Sequence, residues 1–456
     1  MIALEAPRLA GAGVALIAYA ALCARAWRIH RGRASPVADA SGAAVLVAFA
    51  SQTGFAQSLA EETARAIEAA GVSVCLQPLD AIDADRLAAC AYALFIVSTC
   101  GEGNAPDNAA RFADRSMATP LALPDLRYGV LALGDRAYTH YCAFGRDLDQ
   151  WLGDCGAKPL FPRIDLNGAD GDALEAWRHR VARLAGIAEP YRAAETTLSD
   201  WRLRDSRRLN PGSAGAAVHL VEFEALPPAD RHIDAALPAW QPGDLLEVHP
   251  PPDITTPRLY SIASLPEDGR VQLLVRSVQS ADGSPGRMSG LLNDPAAAGR
   301  IFRGRIRPHH NFRLDDNAAR PLILIGNGTG LAGLIAHLRH RCRRGDGRNW
   351  LIFGERNAAH DDHFGPELDA FERAGLLARR DRVFSRDHET PGEYVQHRLA
   401  RAGATLREWI AGGAAIYVCG SATGMGPAVH QVLIDILGDD AVTELRHAGR
   451  YRRDVY

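Results

Sequence analysis

Apolar runs at Ala44–Ala48, Tyr92–Val97 and Tyr128–Leu133 alternate with amphipathic stretches at Gln57–Ala70, Ala109–Met117 and Phe144–Leu152. Short continuous apolar runs separated by helical periodicity predict strands buried on both faces and joined by crossover helices. Residues 44–186 are therefore expected to form a doubly wound parallel sheet. Between about Trp201 and Leu314 the pattern changes. Leu220–Pro228, Gln241–Pro252 and Gly269–Val278 are strand-like pieces broken by Pro and Gly, which predicts a small antiparallel β-barrel over 201–318. From Pro321 the β–α alternation returns. Leu322–Gly326, Trp350–Gly354 and Ala415–Gly420 each run into a Gly-rich turn and then a helical stretch, so residues 319–456 are expected to form a second, nucleotide-binding α/β sheet. Residues 34–43 are small and polar and read as a linker, and residues 187–200 as the hinge between the first two units. No internal repeat is evident, because the loops of the two α/β units differ in chemistry.

The N-terminus departs from these periods. Leu9–Ala24 is almost uncharged and is followed by Arg25, Trp27, Arg28, Arg31 and Arg33. A secretory signal places its basic residues before the apolar run, so this order predicts an N-terminal membrane helix within residues 1–33. The catalytic bulk would then lie on the cytoplasmic side of the cytoplasmic membrane. An interfacial or partner-packed helix is the alternative. Hydrophobic residues make up 47%, charged residues 23% and the formal net charge is -3, which fits globular domains and gives no basic footprint for nucleic acid. Eight cysteines are scattered without a C-x-x-C pair or a zinc or iron–sulfur spacing, which suggests a reducing compartment and no metal.

Candidate chemistry lies where strands give way to loops. Ser51-Gln52-Thr53-Gly54-Phe55-Ala56 leads from the first strand into a helix, and backbone amides, the helix dipole and two hydroxyls could hold a phosphate there. An ordinary capped helix fits the same residues. The loop lacks the G-K-[ST] ending of an ATPase. Ser98-Thr99-Cys100-Gly101-Glu102-Gly103 and Leu133-Gly134-Asp135, with Tyr138 beyond, sit at carboxyl ends of the same sheet, where open α/β sheets bind ligands. In the barrel segment Arg258, Tyr260 and Ser261 offer a guanidinium, a flat ring and a hydroxyl. Gly286, Met288 and Ser289 follow. The last unit supplies Gly328-Thr329-Gly330, then Ser385-Arg386, Tyr394 and Gln396. Cys419-Gly420 ends a strand, and the chain closes on Asp454-Val455-Tyr456.

As an ordered series these segments resemble the diflavin reductases, in which a flavodoxin domain is fused to a ferredoxin–NADP reductase-like module. The resemblance covers about Ala44 to Tyr456. It implies that Ser51–Ala56 holds the FMN phosphate, that the loops at Ser98–Gly103 and Leu133–Tyr138 bracket the isoalloxazine, and that Tyr138 stacks on it. Arg258, Tyr260, Ser261, Gly286, Met288 and Ser289 would bind FAD. Gly328, Thr329, Gly330, Ser385, Arg386, Tyr394 and Gln396 would bind NADPH, with Ser385-Arg386 on the 2′-phosphate. Ser261, Cys419 and Asp454 would surround hydride transfer, and Tyr456 would cover the flavin. Cys100 stands where one branch has an aromatic, and Pro391-Gly392-Glu393 where a Lys is often found. Between Gly243 and Arg258 there is no room for the helical connecting domain of large members. Arg-Asp-Val-Tyr and His232-Ile233-Asp234 are most similar to flavoprotein subunits of NADPH–sulfite reductase. The implied activity is electron transfer from NADPH through FAD and FMN to an acceptor haem protein. A membrane-bound haemoprotein or ferric reductase component is an alternative, and a non-catalytic flavin-binding module is another.

Overall fold

The computed structural model describes residues 44–456 except 101–102, 137–138, 169, 188–197, 228–237, 251–256, 280–282 and 388–391. In the first unit β1 (Val45–Ala50), β2 (Val74–Pro78), β3 (Tyr92–Ser98), β4 (Arg127–Gly134) and β5 (Lys158–Pro159) lie in the order β2-β1-β3-β4-β5, with β6 (Ile164–Asn167) also on β4. All pairings are parallel. This is the flavodoxin-like order, with its crevice at the carboxyl ends of the strands. Every residue of β1 is buried because helices cover both faces of the sheet. Leu59 and Ile67 of helix Phe55–Ala69 meet Trp177 and Val181 of helix Gly171–Ala185 on one face. Phe112, Phe144 and Leu148 pack on the other.

The amphipathic stretch Ala109–Met117 is not a plain α-helix. A turn of 3₁₀-helix at Asp107–Ala109 runs into a π-helical turn at Phe112–Ser116. The Phe112 amide donates to Asp80 Oδ1 at 2.9 Å, and Met117 N–H reaches back five residues to the Phe112 carbonyl. A side-chain acceptor has taken a donor from the helical ladder, a competition that periodicity cannot reveal.

The second unit holds β7 (Ser199–Arg208), β8 (Val218–Ala225), β9 (Leu245–His249), β10 (Arg258–Ser261), β11 (Val271–Arg276) and β12 (Ile301–Arg307), in the antiparallel order β10-β9-β12-β7-β8-β11. A bridge between Ile262 and Leu273 ties the two outer strands and closes the barrel. Strands β9 and β10 pair directly across residues 250–257, a span too short for an inserted domain. In the third unit β13 (Leu322–Asn327), β14 (Asn349–Glu355), β15 (Arg379–Phe384), β16 (Ala415–Gly420) and β17 (Tyr451–Val455) form a parallel sheet ordered β15-β14-β13-β16-β17. The chain therefore ends as an edge strand locked into a sheet, with Tyr456 N–H donating to the Gly420 carbonyl.

The membrane helix expected over Leu9–Ala24 lies outside the described residues. Among those described, no helix is long and apolar enough to cross a membrane. The longest, Phe55–Ala69 and Gly171–Ala185, have 15 residues each, short of the roughly 20 that a span needs. The fold thus gives the expected N-terminal membrane helix no support.

Candidate functional site

Three segments far apart in sequence meet at one buried carboxylate. The Ser261 hydroxyl, at the end of β10, donates to Asp454 Oδ2 at 2.8 Å, and the Cys419 thiol of β16 donates to the same oxygen at 3.5 Å. Parallel pairing of β16 with β17 sets Cys419 directly opposite Asp454. All three are buried. Burial, and then the neighbouring Asp454 charge, hold the Cys419 thiol well above its ordinary pKa, so it stays neutral. Tyr456 lies two residues on, exposed, with its hydroxyl 3.3 Å from Thr329 Oγ1.

Beside this cluster opens a cleft of about 650 Å³ lined by Gly328, Thr329, Ser385, Arg386, Tyr394, Gln396 and Tyr456. The strand-to-helix turn demands glycine: a Cβ on Gly330 would lie 2.2 Å from the Cys419 carbonyl oxygen, and Gly328 has φ 59. Arg276 and the buried Glu355 form an ion pair in the cleft wall. Arg386 is exposed at its rim. Such a cleft, with glycines on the floor and a free-standing cation at the rim, fits a phosphorylated dinucleotide. On the barrel, Arg258 is exposed and Tyr260 half buried, both accessible to a ligand. Met288 instead packs into the barrel core, and the Ser289 hydroxyl accepts from Val278 N–H at 3.1 Å and donates to the Gly286 carbonyl at 3.3 Å. These two build the turn.

The loops of the first sheet have a different character. Gly54 takes φ 82 at the start of helix Phe55–Ala69, and among the described residues the amides of Gln52, Thr53 and Gly54 have no partner. The hydroxyls of Ser51 and Thr99 are buried without a hydrogen bond. Buried orphan donors are costly. Together with the bare amides they fit a phosphate and the edge of a flavin. Ser98 Oγ donates to the Ala50 carbonyl, Ala56 and Leu133 belong to the core, and Phe55 lies beneath the Arg307 guanidinium. Cys100 and Asn104 exchange backbone hydrogen bonds across a loop in which Gly103 has φ 109. A Cβ on Gly134 would come within 2.7 Å of the Cys142 amide. Asp135 continues from that strand end. Gly101, Glu102 and Tyr138, and with them the stacking aromatic, lie outside the described residues, as does His232-Ile233-Asp234.

These FMN-type loops face the rest of the chain. Asp107 pairs with Arg453, one residue before the buried carboxylate, and Gln52 Nε2 donates to the Arg453 carbonyl at 2.7 Å. Burial pushes the Asp107 carboxyl up, but the Arg453 charge and hydrogen bond outweigh it and hold it below 3.8. His309 and Asn311 reach the same loop from the barrel side. Further out, Arg115 meets Glu444 at 2.8 Å and His447 meets Asp114 at 3.2 Å. The π-turn holds Asp114 and Arg115 at this contact. Sequence reasoning did not single out His309 or the Asp107–Arg453 pair, because each joins residues more than 250 positions apart.

A family model described as flavodoxin matches residues 47–179. With a six-stranded barrel and a second parallel nucleotide sheet behind that domain, the chain has the architecture of a diflavin reductase. Within that class it is similar to the sulfite reductase (NADPH) flavoprotein alpha-component of Vibrio cholerae, 29% identical over 552 aligned positions covering 93% of this chain and 89% of the relative. The protein of the same name from Vibrio vulnificus is 29% identical, covering 92% and 89%, and that from Yersinia enterocolitica 28%, covering 93% and 91%. An alignment of 552 positions exceeds this chain's 456 residues, so the relatives carry insertions that it lacks. They are named as flavoprotein components of sulfite reductase. These findings overturn the expected placement at the cytoplasmic membrane, and neither a membrane span nor a membrane redox partner has support among the described residues.

Proposed function

We propose that the chain carries electrons from NADPH through FAD to FMN and on to an acceptor haem protein of the sulfite reductase kind. In this reading residues 44–186 hold FMN, 201–318 hold FAD, 319–456 hold the nicotinamide nucleotide, and 187–200 form the hinge. NADPH supplies a hydride, and the two flavins divide that electron pair into single electrons. The protein supplies position and charge. Ser261 and Cys419 direct their protons at Asp454 and fix its carboxylate, while the neutral thiol adds no second negative charge beside it. Ser385 and Arg386 hold the adenosine 2′-phosphate at the rim of the cleft, Gly328–Gly330 admit the pyrophosphate, and Tyr394 and Gln396 line the same wall. Tyr456 guards the inner end, and Arg258, Tyr260 and Ser261 face FAD from β10. Ser51, Thr99 and the amides of Gln52–Gly54 take FMN.

The observation that carries this reading is the buried cluster of Ser261, Cys419 and Asp454, assembled from three segments beside a dinucleotide-sized cleft. A non-catalytic flavin module would have no use for it. Anaerobic stopped-flow mixing with NADPH and separately NADH, with flavins quantified after extraction, tests it. Both flavins should be present and NADPH should bleach them far faster than NADH. A single flavin, or no bleaching by either nucleotide, would end the electron-relay reading.

A further inference from the structure

The loop assigned to the FMN phosphate is held from outside its own domain. Its first two carbonyls accept hydrogen bonds from the segment after β12: Asn311 Nδ2 donates to the Ser51 carbonyl, and His309 Nε2 to the Gln52 carbonyl at 2.7 Å. A carbonyl can only accept, so His309 carries its proton on Nε2. Peptide bonds in the described chain are all trans, and in a trans peptide the C=O of one residue points opposite to the N–H of the next. Fixing the carbonyls of Ser51 and Gln52 toward the reductase therefore turns the amides of Gln52 and Thr53 the other way, into the loop. Those amides have no partner among the described residues. The Gln52 side chain adds a third tie, spanning Asp107 and the Arg453 carbonyl.

The bracing segment is itself rigid. The buried Asp244 carboxylate accepts from the His309 amide at 3.0 Å and from both Arg313 Nε and Nη2 at 2.7 Å. A Cβ on Gly243 would sit 2.6 Å from the Phe312 carbonyl, so the turn at 241–244 locks against the segment through a glycine with φ 99. Phe312 is fully buried, with the His309 ring stacked on it at 5.9 Å. A Cβ on Gly54 would meet the Pro308 carbonyl at 3.0 Å, so loop and segment also touch backbone to side chain position.

We infer that the reductase module completes the FMN phosphate site: docking of the flavodoxin domain, through His309 and Asn311, presets the amides of Gln52 and Thr53 for the phosphate. FMN binding and domain docking are then thermodynamically coupled, and each strengthens the other by the same factor. His309 and Asn311 are positioning residues that act through the loop. The inference rests on FMN occupying Ser51–Ala56.

FMN titration of the flavin-depleted full chain, followed by quenching of flavin fluorescence, tests it in the parent, in His309→Ala/Asn311→Ala, and in Arg111→Ala/Arg115→Ala, which loosens the remote contact with His447 and Glu444 without touching the loop. The first pair should bind FMN about tenfold more weakly and the second about twofold, with FAD content unchanged. Reciprocally, FMN should make the parent more compact in small-angle scattering. Unchanged FMN affinity in folded variants overturns the coupling. Should the first pair fail to fold, the remote pair decides alone, and parental affinity there overturns it. A parent chain that takes up no FMN refutes the diflavin reading instead.

Discussion

The carboxylate cluster beside the nucleotide cleft and the proposed phosphate loop of the flavodoxin domain solve opposite problems. Around Asp454 the donors of Ser261 and Cys419 are already engaged with one carboxylate oxygen, and burial seals them. Around Ser51 the donors are left bare: two hydroxyls and three amides have no partner among the described residues. A site that steers charge during reaction gains from being preorganised, since nothing then has to reorient. A site that retains a ligand gains from donors that only the ligand satisfies, because each bare donor is a cost that binding removes. Substitutions should therefore separate the two by readout, rate in one case and occupancy in the other.

The largest effect is expected at the preorganised cluster. Asp454→Asn keeps the shape and one acceptor oxygen but removes the charge. Flavin reduction by NADPH should slow about a thousandfold while FAD and FMN contents stay parental. Loss of FAD from this variant would show instead that the cluster is a structural tie.

The contact between the two regions comes next. Arg453→Ala leaves the Asp107 carboxylate, whose side chain is 9% exposed, without its partner, and breaking such a pair costs about 3 kcal/mol. The double variant with Asp107→Asn should recover part of that loss, as scattering measurements of domain compaction can show. The pair also sets a pH dependence. The carboxyl of Asp107 is depressed below 3.8 in the folded chain, so its stabilisation is complete above that value and disappears as pH falls through the folded pKa. Parental compaction should weaken in that acid window, and Asp107→Asn should not share this component.

Much of the fold was legible because each unit obeys one period. Continuous apolar runs such as Tyr92–Val97 announce strands buried on both sides, and Leu322–Gly326 running into glycines announces a nucleotide turn. The π-turn at Phe112–Ser116 was not legible, since its start is fixed by a tertiary bond from the Phe112 amide to Asp80. Ser261, Cys419 and Asp454 could be placed together only by resemblance, because no local pattern links β10 to two strands of another sheet. Met288 and Ser289 show the reverse: their side chains are engaged in the barrel core and in the turn itself, and neither is aimed outward. His309 left no signal at all, since its meaning arises when two domains meet. Leu9–Ala24 had a clear pattern of charge and hydropathy, but the membrane helix drawn from it finds no support among the described residues, where no helix is long and apolar enough to cross a membrane.

A more moderate effect is expected at the rim of the nucleotide cleft. On the proposed assignment Arg386→Ala removes a charge-assisted contact to the 2′-phosphate, so the apparent KM for NADPH should rise about tenfold while that for NADH barely changes. Equal losses for both nucleotides would move the 2′-phosphate elsewhere in the cleft.

The smallest effect should come from Cys419→Ser, and its size discriminates between two roles for the thiol. An ionised thiolate beside Asp454 would make the reaction sensitive to its titration, and its replacement would be severe. Burial and the adjacent carboxylate instead keep the thiol protonated far above neutral pH, and its one contribution is a weak donor 3.5 Å from Asp454 Oδ2. A serine hydroxyl donates to the same oxygen, so the rate of flavin reduction should change only about threefold, in line with one neutral hydrogen bond. The pH profile between 6 and 9 should superimpose on that of the parent within about the same precision. A profile that loses an alkaline limb on substitution would show that the thiol titrates during turnover, and the cluster would then be an acid–base device rather than a fixed electrostatic one.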